Sequence, residues 1–349
     1  MRAKKRNVLT LALFAAGVLS LSLAATFDAA SAQQDKTYVM KITLPTLNDT
    51  IHQVAKNYAA ALEKDSAGRI KVQIYPASQL GSIPRQIEGV QFGAIQCAMI
   101  PPEFFVGVDD RFQLMAAPGL ITSMQHGQRL AKDPAVLKLM LSLGANKGLH
   151  GAGMFMATPS SVIARTPIRH LADFKGKKIR IFASKFQSVA FERLGATPVA
   201  MTLGDVLPAL QQGAIDGADA ALNVYVPFHY VDAAKYVTET NQPAIFAIIE
   251  ISQKWYETLP KDLQQLVDRD AAAEAVKINP WGLDFRHKMQ KTWVAQGGEL
   301  IKLPTAEQAQ MMATLASVGE DVSKSSPSLH QAYETVLAAA KRTAAGPGE

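Results

Sequence analysis

Cysteine is almost missing: among 349 residues there is one, Cys97. A lone thiol excludes an internal disulfide, and its apolar run AIQCAMI marks it as a buried packing residue rather than a nucleophile. Past the N-terminal region no further unbroken apolar run reaches the ~18 residues of a spanning helix, so no membrane span is expected there. Long basic blocks are also lacking. Lys and Arg are scattered among acids, which leaves a nucleic-acid surface without support. The sequence contains no G-x-S-x-G, no G-K-[ST] and no H-E-x-x-H. GAGMFM, from Gly151, begins like the glycine loop of a dinucleotide site but ends in Met156, and the seven histidines are dispersed. Catalytic, nucleotide and zinc signatures are thus excluded, and no enzymatic activity, cofactor or metal is expected.

What is present begins with a processing signal. Arg2, Lys4, Lys5 and Arg6 precede an apolar stretch from Val8 to Ala25, and Ala30-Ser31-Ala32 closes it with small residues. This order predicts a secretory signal peptide over 1–32, cleaved before Gln33, and hence export to the periplasm. Its removal lowers the formal net charge from +6 to +3, so part of the apparent basicity belongs to the signal. About 317 residues remain, at 48% hydrophobic composition overall. That length suggests two domains with substantial cores and no need of disulfides.

Strand and helix patterns then alternate. TYVMKITLP and RIKVQIYP alternate with period two, IHQVAKNYAAALEKDS has helical spacing, RQIEGVQFG reads as a short helix closed by Gly93, and AIQCAMI as a short strand. This is an α/β chain. EGVQFGAIQCAMI (Glu88–Ile100) is echoed by PALQQGAIDGADA (Pro208–Ala220), with Gly93 and Gly213 at matching places 120 residues apart. GRIKVQIYP and GKKIRIFAS precede the two echoes. The spacing fits two similar α/β lobes, with a cleft between them as the natural ligand site. The last third reads as helical: KDLQQLVDRDAAAEAVKI with a bend near Asn279-Pro280, a short strand ELIKLP, and a helix after Thr305 and Gln308, which have capping-box spacing.

Arg180 is the residue that asks for an explanation. It lies between Ile179 and Ile181 in a predicted strand, and a guanidinium cannot shed its proton to ease burial. Ser184 and Gln187 predict a helix start just beyond, at the strand edge where open α/β sheets bind ligands. Two readings follow: Arg180 and the helix start form a carboxylate site, or Arg180 pairs with an internal acid such as Asp216 or Asp219.

Four phrases in order carry a family resemblance: SQLGSIPRQIEGVQFGAIQCAM, LADFKGKKIRIF, LGATPVAMTLGDVLPALQQGAIDGA and ISQKWYETLP. Together they resemble the solute-binding proteins of TRAP transporters, the DctP-like family, over nearly the whole chain after the signal. The resemblance implies a two-lobed periplasmic-binding-protein-like α/β fold with a hinge and a long connecting helix. Its first lobe would span 33–157 plus roughly 246–285, and its second 158–245 plus roughly 286–349, C-terminal helices included. It implies an organic-acid ligand and docking on the small and large membrane subunits of a permease; the sequence leaves the oligomeric state open, with a monomer expected. The family's ligand-pairing arginine falls on Arg180.

The sequence departs from the family in two places. The asparagine usual after the Asp-Gly turn is replaced by Ala220, and a second arginine expected near Pro159 is absent, with Arg165 too close to Pro167 to replace it. Phe104, Phe105, Phe182, Phe186, Tyr225 and Phe228 fall near the cleft by this alignment. As a group they favour an aromatic or branched-chain monocarboxylate, 2-oxo acids included, over a dicarboxylate or acidic sugar. Glu103 and Asp219 are candidates to meet an amine or cation. A sensory receptor of the same fold, or an enzyme acting on a carboxylate, is the alternative.

Overall fold

Residues 36–344 are described by a computed structural model; residues 1–35, with the signal expected over 1–32, and the tail beyond Ala344 lie outside the described residues. Their strands form two sheets. The first has the order β2-β1-β3-β10-β4, from β1 (Tyr38–Thr43), β2 (Ile70–Tyr75), β3 (Cys97–Ile100), β4 (Leu149–Pro159) and β10 (Ala244–Ser252). The second has the order β11-β9-β5-β8-β6-β7. It is built from β5 (Ser161–Ala164), β6 (Lys178–Ile181), β7 (Thr197–Ala200), β8 (Gly217–Ala220), β9 (Tyr236–Thr238) and β11 (Glu299–Ile301).

The echo in the sequence corresponds to a shared topology. In each sheet a parallel trio, β2-β1-β3 or β7-β6-β8, is followed by an antiparallel strand, β10 or β5. The helices Ile83–Phe92 and Leu203–Gln212 lead into β3 and β8, and both end at a left-handed glycine, Gly93 (φ 84°) and Gly213 (φ 71°). A Cβ is disfavoured in that conformation, which is why both copies keep glycine. One pairing from the sequence is corrected. GKKIRIFAS forms β6, the counterpart of β1, whereas GRIKVQIYP forms β2, the counterpart of β7. β7 is the four-residue stretch TPVA, and its Pro198 is tolerated because β7 is an edge strand, so its sequence hardly announces a strand.

Gly217, where β8 begins, shows how tightly this sheet is drawn. A Cβ there would stand 2.6 Å from the carbonyl oxygen of Ile163 on β5 and 2.9 Å from Ile179 Cδ1. Gly217→Ala is expected to lower stability by about 1–3 kcal/mol through forced backbone shifts. Urea unfolding checks this, and an unchanged midpoint would mean that the two strands part freely.

Four connections join the lobes. The chain passes from β4 to β5 at Ser160, returns from β9 to β10 through residues 239–243, crosses again in the helix Asn279–Ala295, and comes back between β11 and the last helix, Pro327–Thr343. The helix Asn279–Ala295 follows Lys261–Lys277 directly, with Pro280 in its first turn. It packs against β4 and the helix Thr50–Asp65 of the first lobe, and against β11 and the short helix Leu222–Tyr225 of the second. The last helix, Pro327–Thr343, departs from the lobe boundaries read from the sequence. Its apolar stripe Leu329, Tyr333, Val336 and Ala340 joins the core that holds Phe112, Val136 and Met140, so it lies chiefly on the first lobe. Phe186 of the second lobe stacks on Tyr333 at 6.2 Å. The capping box at Thr305 does not form. Pro304 is the N-cap, Thr305 is already helical, and the Gln308 amide donates to the Thr240 carbonyl instead.

Candidate functional site

Arg180 sits in the middle of the second lobe's parallel trio, paired in register with Val199 and Ala218. Strand alternation sends Ile179 and Ile181 to one face, into a core with Phe174 and Phe191, and Arg180 to the other. The guanidinium is fully buried. Its Nε donates to the Met201 carbonyl and its Nη1 to the Asp219 carbonyl, each at 2.9 Å. Nη2 is buried without a hydrogen-bond partner among the described residues. The Phe182 ring lies 4.6 Å from its Cζ, a cation–π distance. Burial lowers the Arg180 pKa to about 10, which still leaves it charged at neutral pH.

The internal ion pair considered from sequence is not what the fold builds. Asp216 Oδ2 accepts from the Lys178 backbone N–H, and Asp219 Oδ2 accepts from Gln187 Nε2. Arg180 takes two backbone carbonyls and keeps one free fork of its guanidinium.

Arg180 lines a small cavity between the lobes, about 30 Å³ in volume. Its walls are mostly apolar, with Ile51, Ile83, Phe104 and Ile245 from the first lobe and Phe182, Leu203 and Val224 from the second. Phe104 and Phe182 meet across the lobes with ring centroids 5.2 Å apart. The polar lining is Thr46, Asp49, Thr158, Arg180 and Asn223, and Arg180 is the only basic residue among the described ones that line it.

Arg180, Phe104 and Phe182 are thus brought together as the sequence suggests. Glu103 and Asp219 are close behind the wall but do not line the cavity. Both are fully buried rather than solvated loop acids. Burial pushes each carboxyl up to about 8, and Asp219 adds to the effect on Glu103. Tyr225 is a correction: its hydroxyl lies 2.8 Å from the Ser161 carbonyl and 2.9 Å from that of Ala218, and its ring packs on Tyr230 and Trp293. The hydroxyl is satisfied inside the second-lobe core, so Tyr225 is a structural residue. Phe105 and Phe186 are likewise core residues.

The helix start beyond β6 also differs from expectation. Ser184 caps Lys185–Arg193 by accepting from the Gln187 N–H, but Gln187 Oε1 accepts from the Phe182 N–H and does not complete the reciprocal box. The Lys185 N–H donates to Gln113 Oε1 of the first lobe at 2.8 Å. These donors are occupied, and the residues that start this helix do not line the cavity.

The helix end that does is in the first lobe. Asp49, in the loop that follows β1, caps Thr50–Asp65 by accepting from the His52 N–H at 2.9 Å, and both Asp49 and Ile51 line the cavity. Burial raises the Asp49 pKa to about 6 against the lowering effect of its hydrogen bonds. Asp49 and Asn223 were not singled out in the sequence. The signal for Asp49 was its N-cap spacing at a strand end. Asn223 follows Ala220 by three residues, where a one-turn helix after β8 returns an asparagine to the cleft.

Two sheets of related topology, joined by several connections, and a cavity between lobes define the class of two-lobed solute receptors. Comparison with known proteins agrees. The family model of bacterial extracellular solute-binding proteins, family 7 (DctP), matches residues 43–325, and the chain belongs to that family. It is 25% identical over 275 residues to the C4-dicarboxylate-binding periplasmic protein DctP of Rhodobacter capsulatus, covering 77% of this chain and 81% of that one. It is 27% identical over 218 residues to the 2,3-diketo-L-gulonate-binding periplasmic protein YiaO of Escherichia coli, covering 62% of this chain and 66% of that one. Among solved structures, the fold matches a TRAP periplasmic solute-binding protein from Desulfovibrio salexigens with bound orotic acid. The TM-score is 0.80 at 21% identity, over 88% of this chain and all of that one.

Proposed function

We propose that this protein is the periplasmic receptor of a TRAP-type transport system, and that it captures one organic acid by pairing its carboxylate with Arg180 as the lobes close. The observation that carries this reading is the buried Nη2 of Arg180, a charged donor without an internal partner among the described residues, on a side chain that lines an otherwise largely apolar cavity. A carboxylate satisfies such a group with a charge-assisted bond. Relatives named for C4-dicarboxylate and for 2,3-diketo-L-gulonate place organic acids in the same family. The cavity of about 30 Å³ is far smaller than the roughly 300–1,000 Å³ of ligand sites. Admission of an acid therefore requires the lobes to part about their connections, and a closed lobe pair is the form that docks on the permease subunits.

The favoured ligand is an aromatic or branched-chain monocarboxylate, 2-oxo acids included. Support comes from the facing rings of Phe104 and Phe182 and from the lack of a second basic group among the lining residues. A thermal-shift screen of the protein lacking residues 1–32 tests this. Ligand at a hundredfold excess over Kd stabilises by about 2.7 kcal/mol. Phenylpyruvate, 4-methyl-2-oxopentanoate and their relatives are expected to outrank succinate and sialic acid. Strong, selective shifts with a dicarboxylate or a sugar acid would overturn the ligand class.

A further inference from the structure

We propose that Asp49 is a specificity-determining residue that turns away acids with a second carboxylate and favours acids carrying a hydroxyl or amino donor away from the first. The proposal rests on the reading that Arg180 holds the ligand's carboxylate. Asp49 is 2% exposed and comes from the first lobe, whereas Arg180 comes from the second, and both line one cavity. The cavity is therefore polarised, with a cation on one lobe and a carboxyl on the other between apolar walls.

The position of Asp49 gives this polarity its meaning. Thr50–Asp65 is a 16-residue helix, and Asp49 and Ile51 at its start lie on the cavity. A helix N-terminus of this length attracts anions through its unpaired N–H groups and dipole. Here the chain supplies that anion itself: Asp49 Oδ1 accepts from the His52 N–H. No basic side chain on the helix start offsets this charge. His52 Nδ1 accepts from the Asn48 N–H, and Lys56 lies on the exposed side of the helix. A second ligand carboxylate arriving at this end meets a like charge in a low-dielectric site, whereas a hydroxyl or ammonium meets an acceptor. Thr46, beside Asp49 on the lining, adds a hydroxyl that can bridge to the same donor.

Asp49→Asn and Asp49→Ser separate this role from helix capping, because Asn and Ser are N-caps as good as Asp. The probes are two matched series: phenylacetate, 4-hydroxyphenylacetate and 4-carboxyphenylacetate; pentanoate, 5-hydroxypentanoate and glutarate. Calorimetry on the wild type should rank hydroxy acid above parent and parent above diacid in the series that binds, with steps of about tenfold, the size of one modest polar contact. In both variants the diacid should gain about tenfold or more and the hydroxy acid should lose its advantage, while the parent changes less than about threefold. Unchanged ranking in the variants would reduce Asp49 to a cap and overturn the proposal, as would a wild type that binds diacid and parent alike. Arg180→Ala, measured with the parent acids, reports separately on the carboxylate reading. Binding that survives it, or no binding by any monoacid of either series, sinks that reading and this proposal with it.

Discussion

Arg180→Ala is expected to weaken binding of the best monocarboxylate by about 30-fold or more, the equivalent of roughly 2–5 kcal/mol for a buried charge pair that loses one partner. On the proposed reading Nη2 meets the ligand, and truncation leaves the ligand's charge among Phe182, Ile51 and Leu203 with no cation among the described lining residues. The protein without ligand should still fold. Removing Arg180 deprives the Met201 and Asp219 carbonyls of a donor, but it also removes a fully desolvated charge, and these effects oppose one another. Arg180→Lys should recover only part of the affinity. An ammonium keeps the charge but cannot reach two backbone carbonyls and a carboxylate with one planar fork. Titration calorimetry on wild type and both variants, with melting curves of the free proteins, checks this. Unchanged affinity in Arg180→Ala would refute the carboxylate role, and a collapsed free protein would assign Arg180 to the fold.

The parts of this site that were legible in the sequence are those with strong local chemistry. A permanent charge inside Ile179-Arg180-Ile181 must be accounted for wherever it goes, and alternation alone puts it on the face opposite the Phe174–Phe191 core. Gly93 and Gly213 announced the internal repeat because both backbones require a left-handed turn. The rest depended on contacts between distant segments. Tyr225 lies near Asn223 in sequence, yet one turn of helix sends the tyrosine to Trp293 and the asparagine to the cavity. Asp49 resembled an ordinary cap because nothing near it in the chain shows that the helix start faces the other lobe. The last helix was placed with its neighbours in sequence, whereas its apolar stripe found the larger unfilled core across the molecule.

Raising the pH from about 5.5 to 8.5 should destabilise the wild type, and Glu103→Gln should remove part of that dependence. Glu103 lies in the turn Pro102–Phe105, fully buried, with neither carboxyl oxygen hydrogen-bonded among the described residues. Its pKa rises from 4.5 to about 8, first through burial and then through Asp219. Between those two values the folded chain holds a proton that the unfolded chain has released, so stability falls as pH climbs through that window. A shift of this size corresponds to at most roughly 5 kcal/mol, with water entry reducing it. Asp219 shifts in the same direction, also to about 8, and burial raises the Glu250 carboxyl as well, so part of the slope remains in the variant. Glutamine keeps the shape and has no proton to lose. Glu103→Gln should therefore be the more stable protein at pH 8.5 and close to wild type at pH 5.5, as read from urea midpoints across the range. Parallel pH profiles for the two proteins would show that Glu103 ionises freely, which burial in this turn forbids. The same protonation bears on Arg180. Burial disfavours the charged form of both Glu103 and Asp219, and neither forms an ion pair with the guanidinium; on the proposed reading a carboxylate entering the cavity supplies that charge.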